Sequence, residues 1–151
     1  NLGDYTGSLA TTLRSGERAR VEGPYGHFTQ HHVRHARQVW IAGGIGITPF
    51  LSLAHAASGL DVTLFWSVPD SAAAFCATEL SAIAEAAGVT LVIWPSDERG
   101  YLTAEALPID DASNTSVLIC GPQALKEALR GQLRAAGVAE RDLHDEVFAF
   151  R

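Results

Sequence analysis

Methionine is absent from the 151 residues, and cysteine occurs only at positions 76 and 120. Two cysteines so far apart build no disulfide scaffold, and the expected setting is reduced and cytoplasmic. No run of about 18 or more apolar residues is present to span a bilayer. The opening residues, Asn-Leu-Gly-Asp, lack the basic and apolar stretches of a signal peptide, and the missing Met suggests a natural N-terminus upstream. Cations are scarce: 11 Lys and Arg against 17 Asp and Glu give a net charge of −6. No basic face is then available to neutralise phosphates, so nucleic acid is excluded as the main partner. Repeats and low-complexity tracts are also missing. What is there, 47% apolar and 19% charged residues, is an ordinary globular balance and enough for one domain with a core.

The pattern changes near residue 30. Residues 1–13 read as a short helix with Leu9 and Leu13 on one face. Residues 19–23 alternate like a strand and end at Gly-Pro, a turn signal. Residues 29–36 read as a polar linker. From Arg37 onward strand and helix alternate. Val39–Ala42, Val62–Trp66, Val89–Trp94 and Ser116–Cys120 are short apolar runs, and residues 146–150 form a fifth. Helices are predicted over 48–58, 71–87, 103–107 and 123–135. Strands apolar on both faces and separated by helices predict a five-stranded parallel, doubly wound α/β sheet covered on both sides. Such sheets bind ligands at the carboxyl ends of their strands, where strand order reverses. Function is therefore expected in loops 43–49, 67–70 and 120–123.

Gly43-Gly44-Ile45-Gly46-Ile47-Thr48-Pro49 follows the first of these strands and opens a helix. Glycine permits positive φ and close backbone approach, and Pro49 suits the first helical turn. Amides at a helix start, with the dipole behind them, face an anion, and a pyrophosphate fits. The loop lacks the third glycine of the usual dinucleotide fingerprint, and a tight turn without ligand is the alternative. Cys120-Gly121-Pro122 ends the fourth strand. Its thiol either faces the same crevice or is a small buried group before a helix start. Cys76 reads as core, on the apolar face of an Ala-rich helix. Gly3-Asp4-Tyr5-Thr6 either holds phosphate at a helix start or is a frayed end. His27, His31, His32 and His35 have no Cys or carboxylate at metal-ligand spacing nearby, so they read as solvated and no metal site is expected. The ending His144-Asp145-Glu146-Val147-Phe148-Ala149-Phe150-Arg151 is either an edge strand or part of the site.

Taken in order, Gly-Asp-Tyr-Thr, Val-Glu-Gly-Pro-Tyr-Gly, Gly-Gly-Ile-Gly-Ile-Thr-Pro, Cys-Gly-Pro and Glu-Val-Phe resemble the ferredoxin–NADP reductase superfamily over essentially the whole chain. Gly100-Tyr101-Leu102-Thr103 and the ending are similar to bacterial ferric-reductase-like and NADPH-oxidase-like flavoproteins. The resemblance implies a flavin-binding β-barrel followed by a nucleotide domain. Residues 1–30 would be the end of that barrel and 37–151 the NAD(P)-binding domain. Gly3, Tyr5 and Thr6 match the flavin-pyrophosphate segment. The barrel's earlier motif is missing, so the FAD site is only partly present. Gly43, Gly44, Gly46, Thr48 and Pro49, with Gly121 and Pro122, would hold the dinucleotide. Cys120 would lie near the reacting nicotinamide carbon, Glu146 would orient the ring, and Phe148 would cover the flavin.

The implied activity is hydride transfer from NADH or NADPH to FAD, then onward electron release to haem, ferric chelate or an iron–sulfur centre. The cofactors do the redox chemistry, and the protein stacks them. A 2′-phosphate asks for a cation after the second strand, yet the segment there is Ser67-Val68-Pro69-Asp70, with none before Arg99. Asp70 accepts a ribose 2′-hydroxyl and repels a phosphate, which favours NADH. The leading reading is the electron-input end of a ferric-reductase-like protein, with an upstream flavin barrel and a haem-bearing membrane domain, placing this chain at the cytoplasmic face. A soluble ferredoxin or flavin reductase, and a nucleotide-binding module without turnover, are the alternatives.

Overall fold

A computed structural model describes residues 8–9, 11–20, 22–23, 28–29 and 33–146. Its centre is a parallel sheet of five strands: β1 (Arg37–Gly43), β2 (Asp61–Val68), β3 (Val89–Pro95), β4 (Thr115–Cys120) and β5 (Leu143–Asp145). Their order is β3-β2-β1-β4-β5, with all four pairings parallel. The helices between them are α1 (Thr48–Ala54), α2 (Ala77–Ala87), the single turn α3 (Ser96–Arg99) and α4 (Gln123–Ala135).

Period-two alternation sorts the strand residues into two layers. Trp40, Ala42, Leu64, Trp66, Leu118 and Cys120 pack with Phe50 of α1 and with Leu80 and Ala84 of α2. Val39, Ile41, Phe65, Val117 and Ile119 pack on the opposite side with Leu129 and Leu133 of α4. Both faces are thus covered, which is why β1 and β4 read as continuous apolar runs. Each such large side chain contributes roughly 1.5–3 kcal/mol on burial. Within this core the buried Trp40 indole N–H donates to Gln38 Oε1 at 2.8 Å.

Several expected boundaries shift, each for a physical reason. Ser67 and Val68 belong to β2, because the strand keeps pairing with Trp94 and Pro95 of β3. α1 stops at Ala54, where the backbone tightens into three-residue turns before Gly59 at φ +82°. The helix expected over 71–87 is broken. Asp70 caps a 3₁₀ turn at Ser71–Ala73, Phe75 then docks edge-on against Trp66, and the chain reverses at Cys76, φ +54°, before α2 begins. Cys76 is consequently exposed, not core. The 103–107 helix is only a 3₁₀ turn at Ala104–Ala106. Among the described residues the fifth strand is 143–145: Leu143 pairs with Val117 and its side chain joins the α4 layer, Glu146 follows outside the strand, and residues 147–150 of the expected strand lie outside the described residues. Ser8, Leu9, Thr11 and Thr12 are helical, but Leu13 is exposed, and Ala19, Arg20, Glu22 and Gly23 are not in a strand. His35 is not solvated either; its Nε2 lies 3.4 Å from the buried Asp142 carboxylate. His27, His31 and His32 lie outside the described residues.

Candidate nucleotide site

The chain leaves β1 toward β2 on one side and returns from β3 to β4 on the other, so the order reverses between β1 and β4. At their carboxyl ends two loops press together. A Cβ on Gly46 would stand 2.3 Å from the Cys120 carbonyl oxygen and 3.0 Å from Gly121 Cα. One on Gly43 would meet Pro122 Cδ at 2.7 Å, and one on Gly121 would meet the Gly43 backbone at 2.9 Å. These three glycines let the loops touch. Gly44 differs: its φ is +52° and nothing lies within 4 Å of its Cβ position. It starts the 3₁₀ turn Gly44–Ile47 that runs into α1, with Pro49 in the first turn of that helix. The first amides of such a turn have no partner within it. Thr48 is exposed, its hydroxyl donating to the Ile45 carbonyl at 3.1 Å.

Trp66 fixes this loop from β2. Its indole N–H donates to the Gly44 carbonyl at 2.8 Å, and Phe75 packs edge-on against its ring. This bond holds the Gly44 carbonyl against the end of β2. Nothing in the sequence pattern assigns Trp66 or Phe75; their only signal is two large aromatics placed around the second strand end.

Across the crevice, Cys120 is fully buried, in the layer with Trp40 and Ala42. Burial first, then the Glu146 carboxylate, push its thiol up to about 11, while Lys126 pulls the other way. It is a neutral thiol at physiological pH. Glu146 extends the pairing of β5: its amide donates to the Ile119 carbonyl at 3.1 Å. Gly121 and Pro122 then lead into α4. Gly43, Gly44, Gly46, Cys120, Gly121 and Pro122 therefore lie together where β1 and β4 end, Thr48 and Pro49 open α1 from there, and Glu146 follows β5 beside β4. Gly3, Tyr5, Thr6 and Phe148 lie outside the described residues.

Ser67 and Asp70 form the next part of the rim. Ser67 pairs in register with Gly43, which places it level with the glycine loop. Asp70 Oδ1 accepts from the Ala73 amide at 2.8 Å. The turn after β3 is tied to this segment through the Pro69 carbonyl, which accepts from the Asp97 amide at 3.0 Å and the Ser96 hydroxyl at 3.2 Å. Arg99 stacks on Trp94, its guanidinium carbon 4.0 Å from the ring centre.

Residues 40–131 match the family described as the oxidoreductase NAD-binding domain. The chain belongs to that family. Its sheet and its neighbours place it in the ferredoxin–NADP reductase superfamily of flavin-linked NAD(P)H oxidoreductases. This NAD-binding domain is 34% identical over 148 residues to the carnitine monooxygenase reductase subunit of Escherichia coli, covering 93% of the chain and 44% of that protein. It is 31% identical over 158 residues to a flavohemoprotein of Rhodopirellula baltica, covering 90% of the chain and 38% of that protein. Among solved structures it is similar to the flavohem-like FAD/NAD-binding domain of nitric oxide dioxygenase from Vibrio cholerae. That match has a TM-score of 0.76 and 26% identity, and covers 95% of this chain and 63% of the other. The domain therefore spans less than half the length of these two relatives.

Proposed function

We propose that this chain binds NADH in the β1–β4 crevice and presents its nicotinamide to a flavin held by a barrel domain. Residues 1–30 are the end of that barrel, and 37–151 are the nucleotide domain. The observation that carries this reading is Gly44. Of the glycines at the opening it alone is unneeded for loop packing, and it offers its backbone to open space at a strand-to-helix turn. A pyrophosphate needs such a surface, reachable by backbone amides without a side chain in the way. The residues present thus fit the dinucleotide.

In this reading Gly44, Gly46 and Thr48 grip the phosphates, Pro49 fixes the helix start, and Gly43, Gly121 and Pro122 keep the second wall in place. Ser67 and Asp70 take the adenosine ribose. Cys120 lies under the nicotinamide as a small uncharged wall, since its proton is firmly held. Glu146 orients the ring by accepting from its carboxamide. Gly3, Tyr5 and Thr6 hold flavin phosphate, and Phe148 covers the flavin. When bound, the nicotinamide would supply hydride-donating chemistry and the flavin the capacity to take up two electrons and pass them on singly. The chain's own work is to position both and keep water out.

Asp70 supports NADH over NADPH. Its carboxylate, on the segment after β2, accepts a ribose 2′-hydroxyl and repels a 2′-phosphate. The acceptor is a one-electron centre in the same protein or a partner. Haem is favoured by the flavohemoprotein likeness, in a globin-like or membrane-embedded upstream domain; a ferredoxin or monooxygenase component is the second reading, favoured by the reductase-subunit likeness. The exposed free Cys76 supports a reducing, cytoplasmic location. Titrating the chain with NADH, NADPH and ADP-ribose tests the site. Binding of NADH and ADP-ribose, with NADPH weaker, is the expected result, and no binding of any of the three by folded chain refutes it. Loss of 340 nm absorbance with FAD and ferricyanide, measured on the chain joined to its upstream residues, tests turnover.

A further inference from the structure

Lys126 is the only lysine in 151 residues, and it is 7% exposed. It occupies the buried stripe of α4 together with Leu129 and Leu133. An apolar side chain at that point would avoid the cost of desolvating a charge. The ammonium instead reaches the end of the sheet. It donates to the Glu146 carbonyl at 2.8 Å and lies 3.6 Å from the Asp145 carboxylate. Asp145 already has a second cation, Arg130, at 3.0 Å. The contact peculiar to Lys126 is therefore the Glu146 carbonyl, where the strand ladder has just ended. Glu146 is held from both sides, its amide by Ile119 and its carbonyl by Lys126. The Glu146 amide bonds Ile119, the residue before Cys120, so this clamp stands at the carboxyl end of β4.

We propose that Lys126 is a positioning residue for the nicotinamide end of the site: by clamping the Glu146 backbone it sets where the Glu146 carboxylate meets the ring. This rests on the reading of the crevice as a dinucleotide site with Glu146 at its nicotinamide end. A compact ammonium serves two acceptors at different depths, which a flat guanidinium does less well.

The test compares NADH with ADP-ribose, which has every part of the ligand except the nicotinamide. Calorimetric titration of the 151-residue chain is done on wild type, Lys126→Met and Lys126→Arg. Wild type binds NADH more tightly than ADP-ribose. Lys126→Met weakens NADH by about 10-fold and leaves ADP-ribose within about 2-fold, because a misplaced carboxylate costs only the nicotinamide contacts. Lys126→Arg recovers only part of the loss, because it keeps the charge and a donor but not the compact shape. Should the Met variant not fold, Lys126→Gln replaces it, with the same selective loss expected from its shorter, uncharged reach. Equal wild-type affinity for NADH and ADP-ribose, or a variant that loses both alike or neither, overturns the proposal. Failure of the wild-type chain to bind ADP-ribose at all overturns the site reading beneath it.

Discussion

Two glycines two residues apart should respond to the same methyl group in opposite ways. In Gly46→Ala the new Cβ falls 2.3 Å from the Cys120 carbonyl oxygen and 2.7 Å from its carbon. These are backbone atoms of a central strand and cannot rotate away. Overpacking costs about 1–3 kcal/mol where side chains can adjust, so a value near the top of that range, about 3 kcal/mol, is expected. For a domain of this size that lowers Tm by about 6–12 °C. In Gly44→Ala the methyl enters open space, and only the positive φ is penalised, at about 1 kcal/mol or about 2–4 °C. Its consequence is on the ligand. The methyl occupies the approach to the turn's amides, and losing even one charge-assisted hydrogen bond weakens ADP-ribose by about 10-fold or more. Thermal unfolding followed by circular dichroism, with ADP-ribose calorimetry on the same samples, reads both quantities. If Gly46→Ala melts within about 2 °C of wild type, the loops are not pressed as described. If Gly44→Ala binds ADP-ribose like wild type, Gly44 is only a turn residue, and the site loses its main support.

Other expectations follow from the same geometry. Trp66→Phe keeps the ring against Phe75 but drops the indole bond to the Gly44 carbonyl, so it should cost about 1 kcal/mol of stability and weaken ADP-ribose binding, both measurable as above. Asp70→Arg should raise the NADPH-to-NADH affinity ratio by about 10-fold or more, and an unchanged ratio in competition titrations would refute the assignment of this rim to the ribose. A thiol reagent should modify one cysteine, the exposed Cys76, in native chain and two after denaturation. The Cys120 thiol also predicts a pH dependence. Below its ordinary 9.0 both folded and unfolded states keep the proton; between 9.0 and about 11 the unfolded thiol ionises while the folded one does not, so stability falls as pH rises through that window. Urea unfolding of Cys120→Ala should show a shallower decline there.

The fold was legible to the extent that one-dimensional patterns record it. Val39–Ala42 and Ser116–Cys120 are apolar at every position or nearly so because both faces of those strands are covered, and that mark is local. The turn 43–49 and the Cys-Gly-Pro segment could be placed at strand ends for the same reason. Boundaries set by a distant partner were not legible. Leu143, His144 and Asp145, mixed in polarity, carry no strand signal of their own, yet they pair because Val117–Ile119 and the cations of α4 receive them. Cys76 looked apolar and internal; the docking of Phe75 on Trp66 turns it out to solvent.

By itself the sequence determined the class of fold, the end of the sheet where chemistry belongs and the family, since periodicity and glycine spacing are properties of neighbours along the chain. Which glycine faces a ligand and which merely admits another loop was decided only in three dimensions, as was the burial of the single lysine beneath Glu146. Those distinctions depend on distances between segments up to about 80 residues apart, such as Gly46 to Cys120, and contacts of that range leave no regular trace in residue order.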